Sequence, residues 1–324
     1  MSHRNGGVEL MRILLMMGIV ALHTLCYIGK GLSPAAHLCE SCVVGFVFIS
    51  GYFGITFTIR KLVNFYGIVL FCAVWNILCL WLSGCEPSEL LGHFLGYLRV
   101  WWFANAYVFL MLVSPLVNKA LDACQTTKEL ILVALPPASI VYLWGFASSV
   151  PFLHDYVPID KSITTNSGLT LMGIYILARV FRKTELENRL KLRVFAIIGG
   201  ASAVVCLFNL GKYNSIFAFL FMASLFVFFR RMGDLPLLKY GMASKIALFC
   251  APSMFSIYLI HVGGFVRLPW GSGLSTVHLV GDNPGVVRTI GVVLLVFVVS
   301  LCIDLLRRGL VNVIRRISFS RGSI

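Results

Sequence analysis

The feature that most constrains this chain is a succession of apolar runs separated by short loops that hold most of its Lys and Arg. Each run is about as long as a helix that crosses a bilayer. The hydrocarbon core offers no water to hydrogen-bond an exposed backbone, so a crossing segment must satisfy its own N–H and C=O groups. A helix of roughly 17–25 mostly apolar residues does that. Runs of this kind lie near residues 8–28, 41–59, 62–83, 101–121, 130–148, 165–181, 194–211, 214–230, 246–266 and 287–306. The expected fold is therefore all-α: a polytopic integral membrane protein with about ten transmembrane helices. A soluble domain carries roughly 25% charged residues, whereas this chain of 324 residues carries 12%. No stretch is long and polar enough to stand apart, so residues 1–324 are expected to form a single transmembrane domain. The first run, from Val8, is expected to be a span and not a cleaved leader. Pro136 and Pro137 are expected to kink the fifth span or delay its start.

Orientation follows from the basic residues of alternate loops. With the N-terminus in the cytoplasm, 21 of the 27 Lys and Arg fall on the cytoplasmic side. Among them are Arg4 and Arg12, Arg60 and Lys61, the Arg179–Arg193 group, Arg230 and Arg231, and Arg307 through Arg321. Only Lys30, Arg99, Lys161, Lys212, Arg267 and Arg288 fall outside. Both termini are then expected in the cytoplasm, and Asp155 on the outer side. The formal net charge of +14 does not point to nucleic acid, because the cations are dispersed among loops and form no single patch. The partner they imply is the lipid bilayer.

Ionisable groups inside a span are costly and are candidates for function. The first run holds Glu9-Leu-Met-Arg12 and then His23. Eleven residues at 100° each amount to about three turns, so Arg12 and His23 share one face, about 16 Å apart along the axis. Glu9 lies on the same stripe. An Arg near the cytoplasmic rim suits an anionic phosphate donor, and a mid-membrane His suits a general base. The same residues would also serve as a snorkelling Arg and an interhelical hydrogen-bonder. His261, in Phe255-Ser-Ile-Tyr258-Leu-Ile-His261, reaches a depth similar to that of His23. The two could share a cavity, or His261 could be a packing residue.

Three further segments carry similar pairs of readings. Phe48-Ile-Ser50-Gly51-Tyr52 is a small-residue break that either permits close helix approach or opens a substrate path. Arg60 and Lys61 either meet donor phosphates or follow the positive-inside rule. Trp101-Trp102-Phe103 with Asn105 and Tyr107 forms either an interfacial aromatic belt or a platform for a sugar ring. Cys39 and Cys42 read as structural thiols or as a disulfide with another outward cysteine such as Cys85.

Together these segments resemble the acyltransferase 3 family of transmembrane O-acyltransferases. The matching pieces are Glu9-Leu-Met-Arg12 with His23, Phe48-Ile-Ser-Gly-Tyr52, Trp102-Phe-Ala-Asn105-Ala-Tyr107 running on to Ser114-Pro-Leu-Val-Asn118, and Ser256-Ile-Tyr258-Leu-Ile-His261. The resemblance spans about residues 5 to 306. It implies transfer of an acyl group, acetyl above all, from cytoplasmic acetyl-CoA to a hydroxyl of a cell-envelope glycan or glycolipid, in a bacterial inner membrane. It further implies His23 and Arg12 as catalytic residues, Arg12 and Arg60 as acyl-CoA contacts, and Trp102, Asn105, Tyr258 and His261 on the substrate side. No metal is implied. The acyl group would pass directly to the acceptor or to a separate partner. Two departures stand out: relatives often have an Arg cluster after Ser-Gly-Tyr, where this chain has Arg60 and Lys61, and an acidic residue in the fourth span, where this chain has Asn105. The rival from another class is a polysaccharide or lipid-linked sugar exporter. Such transporters are often built from repeated halves, and no second half here repeats the Arg/His first span.

Overall fold

A computed structural model of the chain describes residues 4–28, 33–144, 167–210, 212–267, 275–281 and 285–321. Every regular element among them is helical. The first five helices are α1 (Gly6–Ile28), α2 (Pro34–Phe53), α3 (Ile59–Leu82), α4 (Pro87–Val100) and α5 (Trp102–Ala123). They are followed by α6 (Thr127–Ser139), which continues as a π turn over Ile140–Trp144. Beyond these come the helices Gly168–Lys183, Leu192–Val205, Ile216–Met232, Met242–Cys250, Met254–His261 and Val286–Arg321. Lys30, Lys161 and Asp155 lie outside the described residues.

Each of the ten expected apolar segments contains helix where it is described, although residues 54–58 of the second form the non-helical link between α2 and α3. Six helical stretches among the described residues are long and apolar enough to cross a membrane: Gly6–Cys26, Pro34–Phe53, Ile59–Leu82, Trp102–Ala123, Met242–Val266 and Val286–Arg316. The other four segments are shorter helices. Pro136 and Pro137 do not break α6. Helix bonding resumes just beyond them, where the Ile140 N–H donates to the carbonyls of Pro136 and Pro137 and the chain widens into the π turn, a place where altered spacing accommodates missing donors. The second span starts earlier than its apolar run, at Pro34, because Ser33 caps it by accepting from the Ala36 N–H.

Among the described residues, four helices lie outside the ten: the short Leu186–Arg189, Pro236–Lys239 and Thr276–Val280, and the longer α4. α4 begins with Pro87 in its first turn, and Leu90, Phe94 and Tyr97 repeat at helical spacing toward Trp101. Tyr97 and Trp101 are fully buried and stack with their centroids 5.0 Å apart. Trp101 Nε1–H donates to Leu259 O at 3.1 Å, which ties the start of α5 to the helix that carries His261.

The core forms two clusters, and α1 and α2 belong to both. Val8, Met11 and Leu15 of α1 pack with α2 and Ile216–Met232 in a cluster that also takes in Gly168–Lys183. Met16, Ile19 and Val20, farther along the helix, pack with Met254–His261 and the last helix in a cluster that also takes in α3. α1 is thus a central strut. Close packing depends on Gly51: a Cβ there would lie 2.6 Å from Tyr175 O and 2.7 Å from Ala178 Cβ. The small-residue break in α2 therefore serves close approach to Gly168–Lys183.

Helix ends converge at one level. Asp122, at the end of α5, pairs with Lys183 at 2.8 Å and with Arg179 at 3.4 Å. Tyr52, at the end of α2, donates to Glu187 Oε1 at 2.5 Å and accepts from Arg182 at 2.6 Å and from Arg230. Arg230 also donates to Glu187 Oε1 at 2.7 Å. Glu187 is 4% exposed, and a buried carboxylate is stable only with such charged partners. These groups belong to segments that the positive-inside count expects on one side.

Candidate functional site

A cavity of 530 Å³ lies where the two core clusters meet, with walls from α1, α2, α3, α5 and Met254–His261. It is elongated along α1. Arg12 lines one end and His23 the other, as their spacing on a single face requires. Between them the lining is largely apolar, with Ile49, Phe65 and Phe255 among its groups.

At the histidine end, His23 Nδ1 lies 2.8 Å from His261 Nε2. His261 Nδ1 lies 2.7 Å from Ile257 O. A carbonyl only accepts, so His261 Nδ1 carries the hydrogen and its Nε2 offers a lone pair when the ring is neutral. His23 Nδ1–H then donates to that lone pair, which leaves the proton-accepting position of a neutral His23 at Nε2. This chain joins α1 to a helix 238 residues away in sequence. His261 is fully buried and stands behind His23, not on the cavity surface. Tyr258, one turn before it, does line the cavity, and its ring lies edge-on to Phe103 at 5.7 Å. Trp102 lines the same end with Tyr213.

At the opposite end, Arg12 Nη1 donates to both carboxylate oxygens of Glu9, at 3.2 and 3.1 Å. Glu9 is 4% exposed and anchors the guanidinium at one corner. The Arg12 side chain stays 29% exposed, lining the cavity. Lys61 lines the same end; its Nζ donates to Thr56 O at 2.8 Å and bonds the Thr56 hydroxyl. The link between α2 and α3 is shaped by a hydrogen-bonded triangle. Tyr175 Oη donates to Asn118 Oδ1 at 2.8 Å, Asn118 Nδ2 donates to Ile55 O at 2.9 Å, and the Ile55 N–H donates to Tyr175 Oη at 2.9 Å. Gly54 precedes Ile55 at φ 79, a conformation that favours glycine. Midway along, Ser50 Oγ lies 3.3 Å from Tyr107 Oη, and both residues line the cavity.

The sequence-expected residues are thus distributed unevenly. Arg12, His23, Trp102 and Tyr258 share the cavity, and His261 supports it from behind. Arg60 and Lys61 are both exposed at the start of α3, and of the two only Lys61 lines the cavity. Asn105 lines a separate, shallower pocket of 410 Å³ with Arg99 and Trp102. Sequence reasoning weighed Lys61 only alongside Arg60 and favoured Arg60 as the donor contact. It missed Ser50 with Tyr107 as a polar pair and Asn118 with Tyr175 as the brace of the link. Their signal was present: Ser50, Tyr107 and Asn118 all lie in segments that carried the family resemblance. All ten cysteines are free thiols, so Cys39 and Cys42 join no disulfide with each other or with Cys85.

Long apolar helices around a cavity with polar groups at both ends define a membrane protein with a site among its helices. The chain matches the acyltransferase 3 family, an acyltransferase domain, over residues 5–305. It belongs to that family and is a membrane acyltransferase by membership. No curated protein and no solved structure matches it. The family match disfavours the exporter reading.

Proposed function

We propose that this protein moves an acyl group, acetyl above all, from cytoplasmic acyl-CoA to a hydroxyl of a cell-envelope glycan or glycolipid, from within a bacterial inner membrane. The observation that carries this reading is the Ile257–His261–His23 hydrogen-bond chain, aimed at a cavity whose other end holds Arg12 and Lys61. The polyanionic donor docks at the cationic end, with Arg12 and Lys61 on its phosphates and Arg60 on the exposed flank. Its thin arm extends along the apolar lining toward His23. The acceptor enters beside Trp102 and Tyr258, whose aromatic faces suit a sugar ring.

His23 Nε2 takes the proton of the acceptor hydroxyl as the oxygen attacks the thioester carbonyl. A C–O bond forms and the C–S bond breaks. The proton held on His23 passes to the departing thiolate, so the imidazole ends neutral. His261 accepts from His23 Nδ1–H throughout, which fixes the ring and supports its cationic form between the two transfers, as the orienting partner of a catalytic His does elsewhere. Both termini lie on the donor side in this reading.

The test uses purified protein with labelled acetyl-CoA, alongside ester analysis of envelope glycans from deletion and parent strains. The deletion strain is expected to lose an O-acyl ester that the wild-type gene restores and the His23→Gln gene does not. Unchanged ester content in the deletion strain would reject the glycan acceptor.

A further inference from the structure

The second chemistry-bearing cluster sits away from the cavity, where α3 hands over to α4. Cys85, Glu89 and His93 are spaced four residues apart, and Glu89 and His93 lie on one face of α4. One ligand atom from each lies within 4.8 Å of the other two. Among the described residues this is the one grouping of three or more such side chains with that geometry.

The backbone fixes these positions before any ligand arrives. α3 ends in a Schellman turn. Gly84, at φ 93, donates its N–H to Trp81 O at 3.0 Å, and the Cys85 N–H donates to Leu80 O at 3.1 Å. Pro87 then starts α4 with its locked φ. Cys85 is thus held by the turn, while the other two project from the rigid helix that follows. The Cys85 thiol already lies 3.7 Å from Glu89 Oε2. In a tetrahedral site with metal–sulfur and metal–oxygen bonds of about 2.3 and 2.1 Å, the sulfur–oxygen edge is about 3.6 Å. The pair therefore stands at coordination spacing, and His93 needs only a small side-chain adjustment to close the third edge.

We infer that Cys85, Glu89 and His93 bind a single borderline divalent cation, zinc(II) in chemical class, with water as its fourth ligand. The donor set selects the class. One thiolate, one imidazole and one carboxylate suit zinc, whereas calcium and magnesium take all-oxygen shells. All three side chains are at least partly exposed, which leaves a coordination position open to solvent. The ion would clamp the end of α3 to the first two turns of α4. At its far end α4 carries the stacked Tyr97 and adjoins Trp101, which bonds the helix of His261. The site is independent of the acyl-transfer reading.

The test uses the full chain in detergent, reduced and stripped of metal, titrated with cobalt(II) as a coloured zinc substitute. A thiolate-to-cobalt charge-transfer band is expected, saturating at one equivalent, bleached by zinc and accompanied by a rise in melting temperature. Cys85→Ser should abolish the band. His93→Gln and Glu89→Gln should weaken affinity by more than the about 10–100-fold that outer-shell changes cost. The double variant Cys39→Ser, Cys42→Ser should bind as wild type. If Cys85→Ser fails to fold, His93→Gln decides, because it keeps the thiol and alters only a partly exposed side chain. The inference is overturned if the wild type shows no saturable band, if the band survives Cys85→Ser, or if His93→Gln binds as tightly as wild type.

Discussion

The two ends of the cavity are built on opposite principles. The histidine end is rigid. His261 has no exposure and its Nδ1 is tied to Ile257 O, so the His23 ring is oriented by two successive hydrogen bonds within packed helices. The cationic end is accessible. Arg12 keeps 29% of its side chain exposed, and Lys61 lines the cavity from the first turn of α3. Proton transfer needs atoms fixed to a fraction of an ångström, whereas a polyanion can be gripped by long cationic side chains in several ways. The free energy of a variant should therefore appear in the chemical step at one end and in donor affinity at the other.

The largest effect should come from His23. His23→Gln keeps a polar side chain of similar length but cannot take up a proton, and it should lower turnover by about 10²–10⁴-fold, the usual contribution of a general base. Acyl transfer by the purified variant, set against an unchanged thermal midpoint, separates chemistry from folding. A Gln variant that works at near wild-type rate would remove the base from this end.

His261→Gln should cost less, about 10–100-fold, because it misorients His23 without removing it. The fall should lie in kcat, with KM for acetyl-CoA unchanged. A rise in KM alone would mean that the two ends are not functionally distinct.

At the other end the pattern should invert. Arg12→Ala with Lys61→Ala should raise KM for acetyl-CoA by about tenfold or more, since a hydrogen bond to a charged group contributes about 1.5–3 kcal/mol. Arg12→Lys should lose part of this affinity although charge is retained, because the bidentate fork is gone. Arg60→Ala, on the exposed flank, should do less than Lys61→Ala. Acetyl-CoA should protect the wild type against heat by binding linkage, and equal protection of the Arg12→Ala, Lys61→Ala protein would refute the docking assignment.

The smallest functional effect belongs to a residue between the ends. Gly51→Ala forces a Cβ against Tyr175 O and Ala178 and should destabilise the protein by about 1–3 kcal/mol through overpacking. Activity per folded molecule should stay near wild type at both ends. A selective loss of donor binding or of turnover would show that this contact tunes one end directly.

Much of this architecture was legible in the residues themselves. Apolar runs cannot be satisfied in lipid except as helices, so the helical segments followed from composition and length. The 3.6-residue period put Glu9, Arg12 and His23 on one stripe before any packing was known. Small residues at Ser50-Gly51 marked a close approach. The amphipathic α4 was missed because its mixed sequence matches neither a span nor a polar loop, although Pro87 and the Leu90–Phe94–Tyr97 spacing carried its signal.

Only the tertiary structure decided what each stripe faces. Periodicity fixes a helix's own sides but not its depth or rotation against a neighbour. Equal depth made a meeting of His23 and His261 conceivable, but their hydrogen bond, across 238 residues of sequence, depends on how the two helices turn toward each other. The same limit hid the convergence of Arg182 and Arg230 on Glu187 and Tyr52, and the choice of Lys61 over the adjacent Arg60 at the cavity. Adjacent residues on a helix point about 100° apart, so which of two neighbouring cations meets the cavity depends on how the whole helix is turned, and that is set by the packing of its buried face.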